Sequence, residues 1–280
     1  MENLVSTQWL ADNLGSPDLV VLDASAHLPD AGRDAAAEFA AAHIPGARYL
    51  GLGTFFDPDS PVPAALPTPK QFAQKMGALG VPQGARVVVY DDSYVKTAAR
   101  AWFILRQNGV QVAILDGGLG KWKAEGRALE SGETPVAAVP FSAGPGTGTV
   151  RFKADMVANL TSKAEQVVDA RGARRFTGEE GDFRPNVADG HIPGSKNVVF
   201  DQVMNADGTY KSPDEIRAAF AAQGVDLGQP VVTTCGGGVT AAVLLFALEL
   251  AGKYDVALYD GSWSEWGTDP DLPKETGPAR

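Results

Sequence analysis

The sequence predicts an α/β protein built from two tandem domains, each a parallel sheet with helices on both faces. Three observations lead there. Short runs of Val, Leu and Ile alternate with helical patterns, as strands buried on both faces and their covering helices do. Four anchors recur in the same order at nearly one spacing within the 280 residues. A stretch rich in proline and glycine separates the two copies.

In chain order, Leu19 to Leu22 is the first clear strand, and Asp23 ends it. His43-Ile44-Pro45-Gly46 follows, a turn-forming motif read as structural, ordering the loop before a strand. The helical pattern Pro69 to Leu79 leads to the strand Arg86 to Tyr90, and Thr97 to Gln107 leads to Val112 to Leu115. Asp116-Gly117-Gly118 with Trp122 closes the first copy. The second copy repeats these anchors: Asp169 lies 146 residues after Asp23, His191 148 after His43, Val231 144 after Val87, and Asp260 144 after Asp116. Two long copies indicate duplicated domains; a solenoid uses shorter and more numerous units. The boundary falls within Thr134 to Thr149, which holds Pro135, Pro140, Gly144, Pro145, Gly146 and Gly148. That is linker chemistry. The expected division is a first domain over 1–135, a linker over 136–149 and a second domain over 150–280.

Composition narrows the function. Hydrophobic residues make up 44%, ordinary for a globular protein. A net charge of −10 argues against nucleic acid as a partner and suits solubility. The longest apolar run, Ala241 to Leu248, is far short of the ~20 residues of a membrane span, and the first residues show no secretory signal. No membrane partner is expected. Three histidines and one cysteine provide no metal-ligand cluster, and no cofactor is expected. One cysteine excludes an intrachain disulfide and fits a reducing, cytoplasmic location.

That cysteine, Cys235, sits in Thr233-Thr234-Cys235-Gly236-Gly237-Gly238-Val239-Thr240. Pro230-Val231-Val232 runs in as a strand and Ala241 to Ala247 runs out as a helix. A strand-to-helix turn aims backbone N–H groups and the positive end of the helix dipole at its occupant. Here the occupant is a sulfur, and such donors favour the nucleophilic thiolate. A lone cysteine is ordinarily a small buried hydrophobe. Three successive glycines, which weaken a fold and allow close approach, favour function here. The position 144 residues earlier is Asp91, with neither thiol nor glycines around it.

These pieces resemble the tandem-domain sulfurtransferases of the rhodanese superfamily. The matching elements are the two His-Ile-Pro-Gly motifs, Asp23 and Asp169, the Cys235 loop, and Tyr259-Asp260-Gly261-Ser262-Trp263-Ser264-Glu265-Trp266. The resemblance spans about residues 5 to 270 and implies an inactive first domain with the catalytic cysteine in the second. The thiosulfate branch carries basic residues after the cysteine, whereas the 3-mercaptopyruvate branch carries a neutral loop. This loop is neutral and closer to the second. The resemblance makes Cys235 the catalytic residue and Gly236, Gly237, Gly238, Val239 and Thr240 its anion-holding loop. It also makes Arg175 and Arg184 the substrate arginines, whose planar forks suit a carboxylate. Arg171 and Arg174 are expected to be structural or solvated. In two places the chain departs from the family: Gly237 stands where a serine is usual, and Ala64 where a histidine is proposed to act with that serine and an acid, for which Asp59 is the candidate.

The implied chemistry is a two-step transfer through a persulfide on Cys235. The donor is a small molecule, 3-mercaptopyruvate or thiosulfate; the acceptor is cyanide or a thiol, small or borne by a thioredoxin-like protein. A cysteine phosphatase would need an arginine six residues after the cysteine, and Ala241 stands there. A low-turnover sulfur-binding module stays open as the non-enzymatic alternative.

Overall fold

A continuous β-branched run has no face to leave in water, so it needs a helical layer on each side. Val87, Val88, Val89 and Tyr90 are accordingly fully buried, and their strand pairs in parallel with a neighbour on each edge. The computed structural model describes residues 1–133 and 135–279. Thr134, with which the predicted boundary stretch opens, and Arg280, the last residue of the predicted second domain, lie outside the described residues.

The chain divides into two compact units. The first holds β1 (Leu4–Val5), α1 (Thr7–Asn13), β2 (Leu19–Asp23), α2 (Ala35–Ala41), β3 (Arg48–Tyr49), α3 (Pro69–Ala78), β4 (Arg86–Tyr90), α4 (Thr97–Gln107), β5 (Gln111–Leu115) and α5 (Gly118–Ala124). The second holds β6 (Thr149–Arg151), α6 (Lys153–Ser162), β7 (Gln166–Asp169), α7 (Ala173–Thr177), β8 (Lys196–Asn197), α8 (Pro213–Ala222), β9 (Val231–Thr234), α9 (Val239–Leu250), β10 (Val256–Tyr259) and α10 (Ser262–Trp266). Each sheet is five-stranded and parallel, ordered β1-β5-β4-β2-β3 and β6-β10-β9-β7-β8. The α/β architecture expected from the sequence is thus present twice, with one topology.

That topology fixes where a ligand can sit. From β7 the chain leads outward to β8; from β9 it leads the other way to β10. Connections that diverge at neighbouring strands open a crevice above their C-terminal ends, the usual ligand position in open α/β sheets. β9 is the central strand, and Cys235 is the residue that follows it.

Local chemistry repeats as well. Thr68 caps α3 by accepting from the Gln71 N–H while Gln71 Oε1 accepts from the Thr68 N–H, and Pro69 opens the helix. Ser212, Glu215 and Pro213 do the same for α8. These are capping boxes with proline at the first helical position. α9 differs from an amphipathic surface helix: Thr240 through Glu249 are all buried, as in a helix apolar on every side.

The units do not follow chain order throughout. The first comprises Met1–Pro58, Leu66–Gly148 and Ala206–Thr209; the second comprises Asp59–Ala65, Thr149–Asn205 and Tyr210–Arg280. Much of the proline- and glycine-rich stretch is laid along the first unit. Val139 N–H donates to Gly77 O at 3.0 Å, Ser142 N–H to Gln83 Oε1 at 3.0 Å, and Gly144 N–H to Asn108 O at 2.9 Å. Among the described residues, no helix is long and apolar enough to cross a membrane.

Candidate active site

Cys235 is 2% exposed, and burial alone is what an inert cysteine would show. Its surroundings are not those of an inert cysteine. α9 begins at Val239, so the first N–H groups of that helix have no carbonyl one turn back to bind. Gly238 caps the helix at φ 80, a left-handed conformation that glycine adopts without strain. Gly236 and Gly237 are not left-handed. A Cβ on Gly236 would stand 3.3 Å from an Arg184 Nη2 and 3.8 Å from an Arg175 Nη2. A Cβ on Gly237 would meet Arg184 Nη1 at 3.8 Å and Ser264 Oγ at 4.0 Å. The bare Gly236 lets the Arg184 guanidinium close over the loop, whereas at Gly237 a Cβ would meet only ordinary contacts.

The start of α10 fastens the loop from another side. Trp263 N–H donates to Cys235 O and Ser264 N–H to Gly236 O, both at 2.9 Å. Cys235 N–H donates to Ser262 Oγ at 3.2 Å, and that hydroxyl donates to Tyr259 O at 2.9 Å. Ser262 is fully buried and left-handed, with φ 49.

The two arginines singled out from the sequence meet at this loop, although they lie some fifty residues upstream of it. The segment that carries them follows β7, and the cysteine loop follows β9, so they face each other across the crevice. Arg184 Nη1 donates to Gly236 O at 2.8 Å. Asp182 binds both arginines: Arg184 through Nε and Nη2 at 2.7 Å each, and Arg175 through Nη2 at 2.5 Å. Burial opposes ionisation of Asp182, but hydrogen bonds from Arg184 and the charges of both arginines outweigh it and hold the carboxyl well below the usual range. Among the described residues, Arg175 Nε is a buried donor with no acceptor. A buried donor left in this way is free to bond a water or a ligand in the crevice. The exposed ring of Phe183 lies 5.3 Å from the Arg175 guanidinium and 5.2 Å from that of Arg184.

The other basic residues divide as expected. Arg171 is buried, paired with Asp169 at 2.7 Å, bonded to Gly190 O at 2.7 Å and stacked over Trp263 at 4.6 Å. Arg174 is exposed. His43 and His191 are scaffold in both units. Each ring lies flat on a phenylalanine, at 4.0 Å on Phe39 and 3.7 Å on Phe176, and bonds that residue's carbonyl through Nδ1. Burial pulls the His191 ring below its ordinary pKa. Ala64 is exposed and left-handed, with φ 56.

The first unit shows the same frame with a different occupant. Leu119 N–H donates to Asp91 O at 2.9 Å, as Trp263 does to Cys235. Gly118, 144 residues before Ser262, is left-handed too, with φ 56. The Asp91 carboxylate accepts from Ala98 N–H at 2.7 Å, at the start of α4, and from Thr97 Oγ1 at 3.2 Å. An acid thus occupies the helix-start position that the second unit gives to a thiol. Burial pushes the Asp91 carboxyl up to about 6, although these hydrogen bonds pull it down.

Asp182 and Ser262 are site residues to which the sequence analysis assigns no role. The one available signal for Asp182 was an acid two residues before Arg184. A cavity of about 350 Å³ between Met156, Leu160, Ile192 and Lys196, and one of about 310 Å³ beside Arg33, Glu38 and Asp92, include neither Cys235 nor the two arginines.

Fold, repeat and loop together define a tandem rhodanese-type protein. The model of the rhodanese-like domain matches the chain twice, over residues 6–125 and 153–269, and the chain belongs to the rhodanese family. Its relatives are sulfurtransferases. The 3-mercaptopyruvate sulfurtransferase of Rattus norvegicus is 42% identical over 270 residues, covering 94% of this chain and 91% of the relative. Thiosulfate/3-mercaptopyruvate sulfurtransferase 1, mitochondrial, of Arabidopsis thaliana is 37% identical over 98% of this chain and 78% of its own. The crystal structure of SseA from Escherichia coli, a 3-mercaptopyruvate sulfotransferase, superposes with a TM-score of 0.85 at 37% identity, covering 94% of this chain and 99% of that one.

Proposed function

We propose that this protein is a sulfurtransferase that takes the sulfane sulfur of 3-mercaptopyruvate onto Cys235 and passes it to a thiophile. The observation that carries the reading is the Arg175–Asp182–Arg184 cluster standing over a neutral glycine loop beside the chain's single thiol. Relatives named for 3-mercaptopyruvate, similar over nearly the whole chain, support it.

The Cys235 thiolate attacks the donor's sulfur. An S–S bond forms, the C–S bond breaks, and its electron pair leaves on carbon as the enolate of pyruvate, which takes up a proton. Cys235 is left as a persulfide. Cyanide or a thiol then attacks the outer sulfur, the S–S bond breaks, and the thiolate returns. No external oxidant or reductant enters. The N–H groups of Gly236, Gly237, Gly238, Val239 and Thr240 hold the anion through both steps. Arg175 and Arg184 hold the donor's carboxylate. The acceptor is a small thiol or one carried by a thioredoxin-like protein, and a reducing, cytoplasmic setting suits it. Residues 1–135 are the inactive repeat, 136–149 the linker and 150–280 the catalytic repeat.

A second reading, thiosulfate as donor, is favoured by the Arabidopsis relative, whose name includes both. Steady-state kcat/KM with each donor decides. We expect 3-mercaptopyruvate to be the better one, and a thiosulfate value tenfold higher overturns the donor assignment. Adding the donor alone should increase the protein mass by one sulfur atom. Cys235→Ser should lose that gain and all transfer while keeping its circular dichroism; substantial residual transfer removes the mechanism.

A further inference from the structure

Arg175 and Arg184 bring two positive charges to the cysteine loop but do not offer both to a ligand. Asp182 lies between them, its side chain only 2% exposed. One of its oxygens accepts from the Arg184 backbone N–H at 3.0 Å and Nε at 2.7 Å; the other accepts from Arg184 Nη2 at 2.7 Å and Arg175 Nη2 at 2.5 Å. The three ionised side chains therefore sum to one net positive charge. The guanidinium that Asp182 grips is also the one bonded to Gly236 O at 2.8 Å, next to the thiol.

We propose that Asp182 is a positioning and specificity-determining residue: by cancelling half of the arginine charge and fixing both forks, it sets the site to favour a monoanionic donor over a dianionic one. This rests on the donor reading above. The physical reason is that Coulomb energy scales with the product of the charges. One extra positive charge at the site gains twice as much for a dianion such as thiosulfate as for a monoanion such as an α-keto acid. Two uncompensated guanidinium groups would select the dianion, and Asp182 removes that bias. The arginine side chains are 23% exposed, so solvent moderates the effect without abolishing it.

Cys235 is the chain's only thiol, so its alkylation by iodoacetamide reports whether the site is filled without any sulfur transfer. Protection of the full-length protein would be titrated with pyruvate as the monoanion and sulfate as the dianion. In Asp182→Asn we expect sulfate protection to strengthen relative to pyruvate by roughly tenfold, with a steeper dependence on ionic strength. Asp182→Glu, which keeps the charge, should keep the wild-type ratio. Equal weakening of both probes in the Asn variant means a purely structural acid and overturns the proposal, as does an unchanged ratio. Should Asp182→Asn not fold, Asp182→Ser removes the same negative charge without touching either arginine and must shift the ratio toward sulfate; no shift overturns it equally. The donor reading fails on turnover, whereas this proposal fails on a ratio of protection constants, so the two are told apart.

Discussion

Gly236 and Gly238 are two residues apart and are glycine for different reasons. Gly238 supplies a left-handed cap, and Gly236 leaves room for a guanidinium. Arg184 closes over Gly236 with Arg175 beside it, and the pair is as demanding of shape as of charge. Arg175→Lys keeps the charge and loses both the Nη2 bond to Asp182 and the planar fork for the donor. The loss should be about 1.5–3 kcal/mol, the worth of a hydrogen bond to a charged group, or roughly 10- to 150-fold in kcat/KM with 3-mercaptopyruvate. A silent Lys variant would show the site to be purely electrostatic. At this scale the sequence was partly legible. The single cysteine, its glycines and the two arginines stand out by residue type. The shared carboxylate of Asp182 and the Ser262 hydroxyl did not, because neither lies in a periodic pattern and both act through loops brought together by topology.

Among the secondary elements, strands and caps were the most readable parts. Arg86–Tyr90 and Thr97–Gln107 are the strand and helix that the pattern predicts. The reason is physical: burial on both faces leaves continuous β-branched runs, and a helix starts where a side chain can satisfy its first amides. Thr68 and Ser212 are such starts, each in a capping box. Thr68→Ala and Ser212→Ala should each cost about 1 kcal/mol, read as earlier unfolding in denaturant. No change in either variant would mean that packing alone holds α3 and α8. Less readable was the membership of short excursions. Asp59–Ala65 groups with the second unit and Ala206–Thr209 with the first, and nothing in local composition marks them.

Stability of the whole molecule should carry the imprint of its buried acids, and their signs oppose. Asp182 is held below its ordinary pKa, so it contributes stability at neutral pH that is lost as pH falls through the carboxylate range. Asp91 is raised from 3.8 to about 6, so the folded state keeps its proton longer than the unfolded chain. Its contribution is complete below about 4 and is lost as pH rises to about 6 and beyond. Asp91→Asn should remove that decline, worth up to about 3 kcal/mol. Hydrogen-exchange protection of the Val87–Tyr90 amides between pH 4 and 7 would measure it in the first unit. Identical slopes in wild type and variant would show that Asp91 is not the source. The duplication itself was legible from four anchors, and the two sheets repeat one strand order.

Gly118 and Ser262 occupy the same left-handed place, and only a residue with a Cβ is strained there, by about 1–2 kcal/mol. The first copy avoids that cost, and its companion accepts it in exchange for a hydroxyl beneath the cysteine. One backbone place thus accepts a glycine in the first unit and a strained serine in the second, where the hydroxyl receives the Cys235 amide.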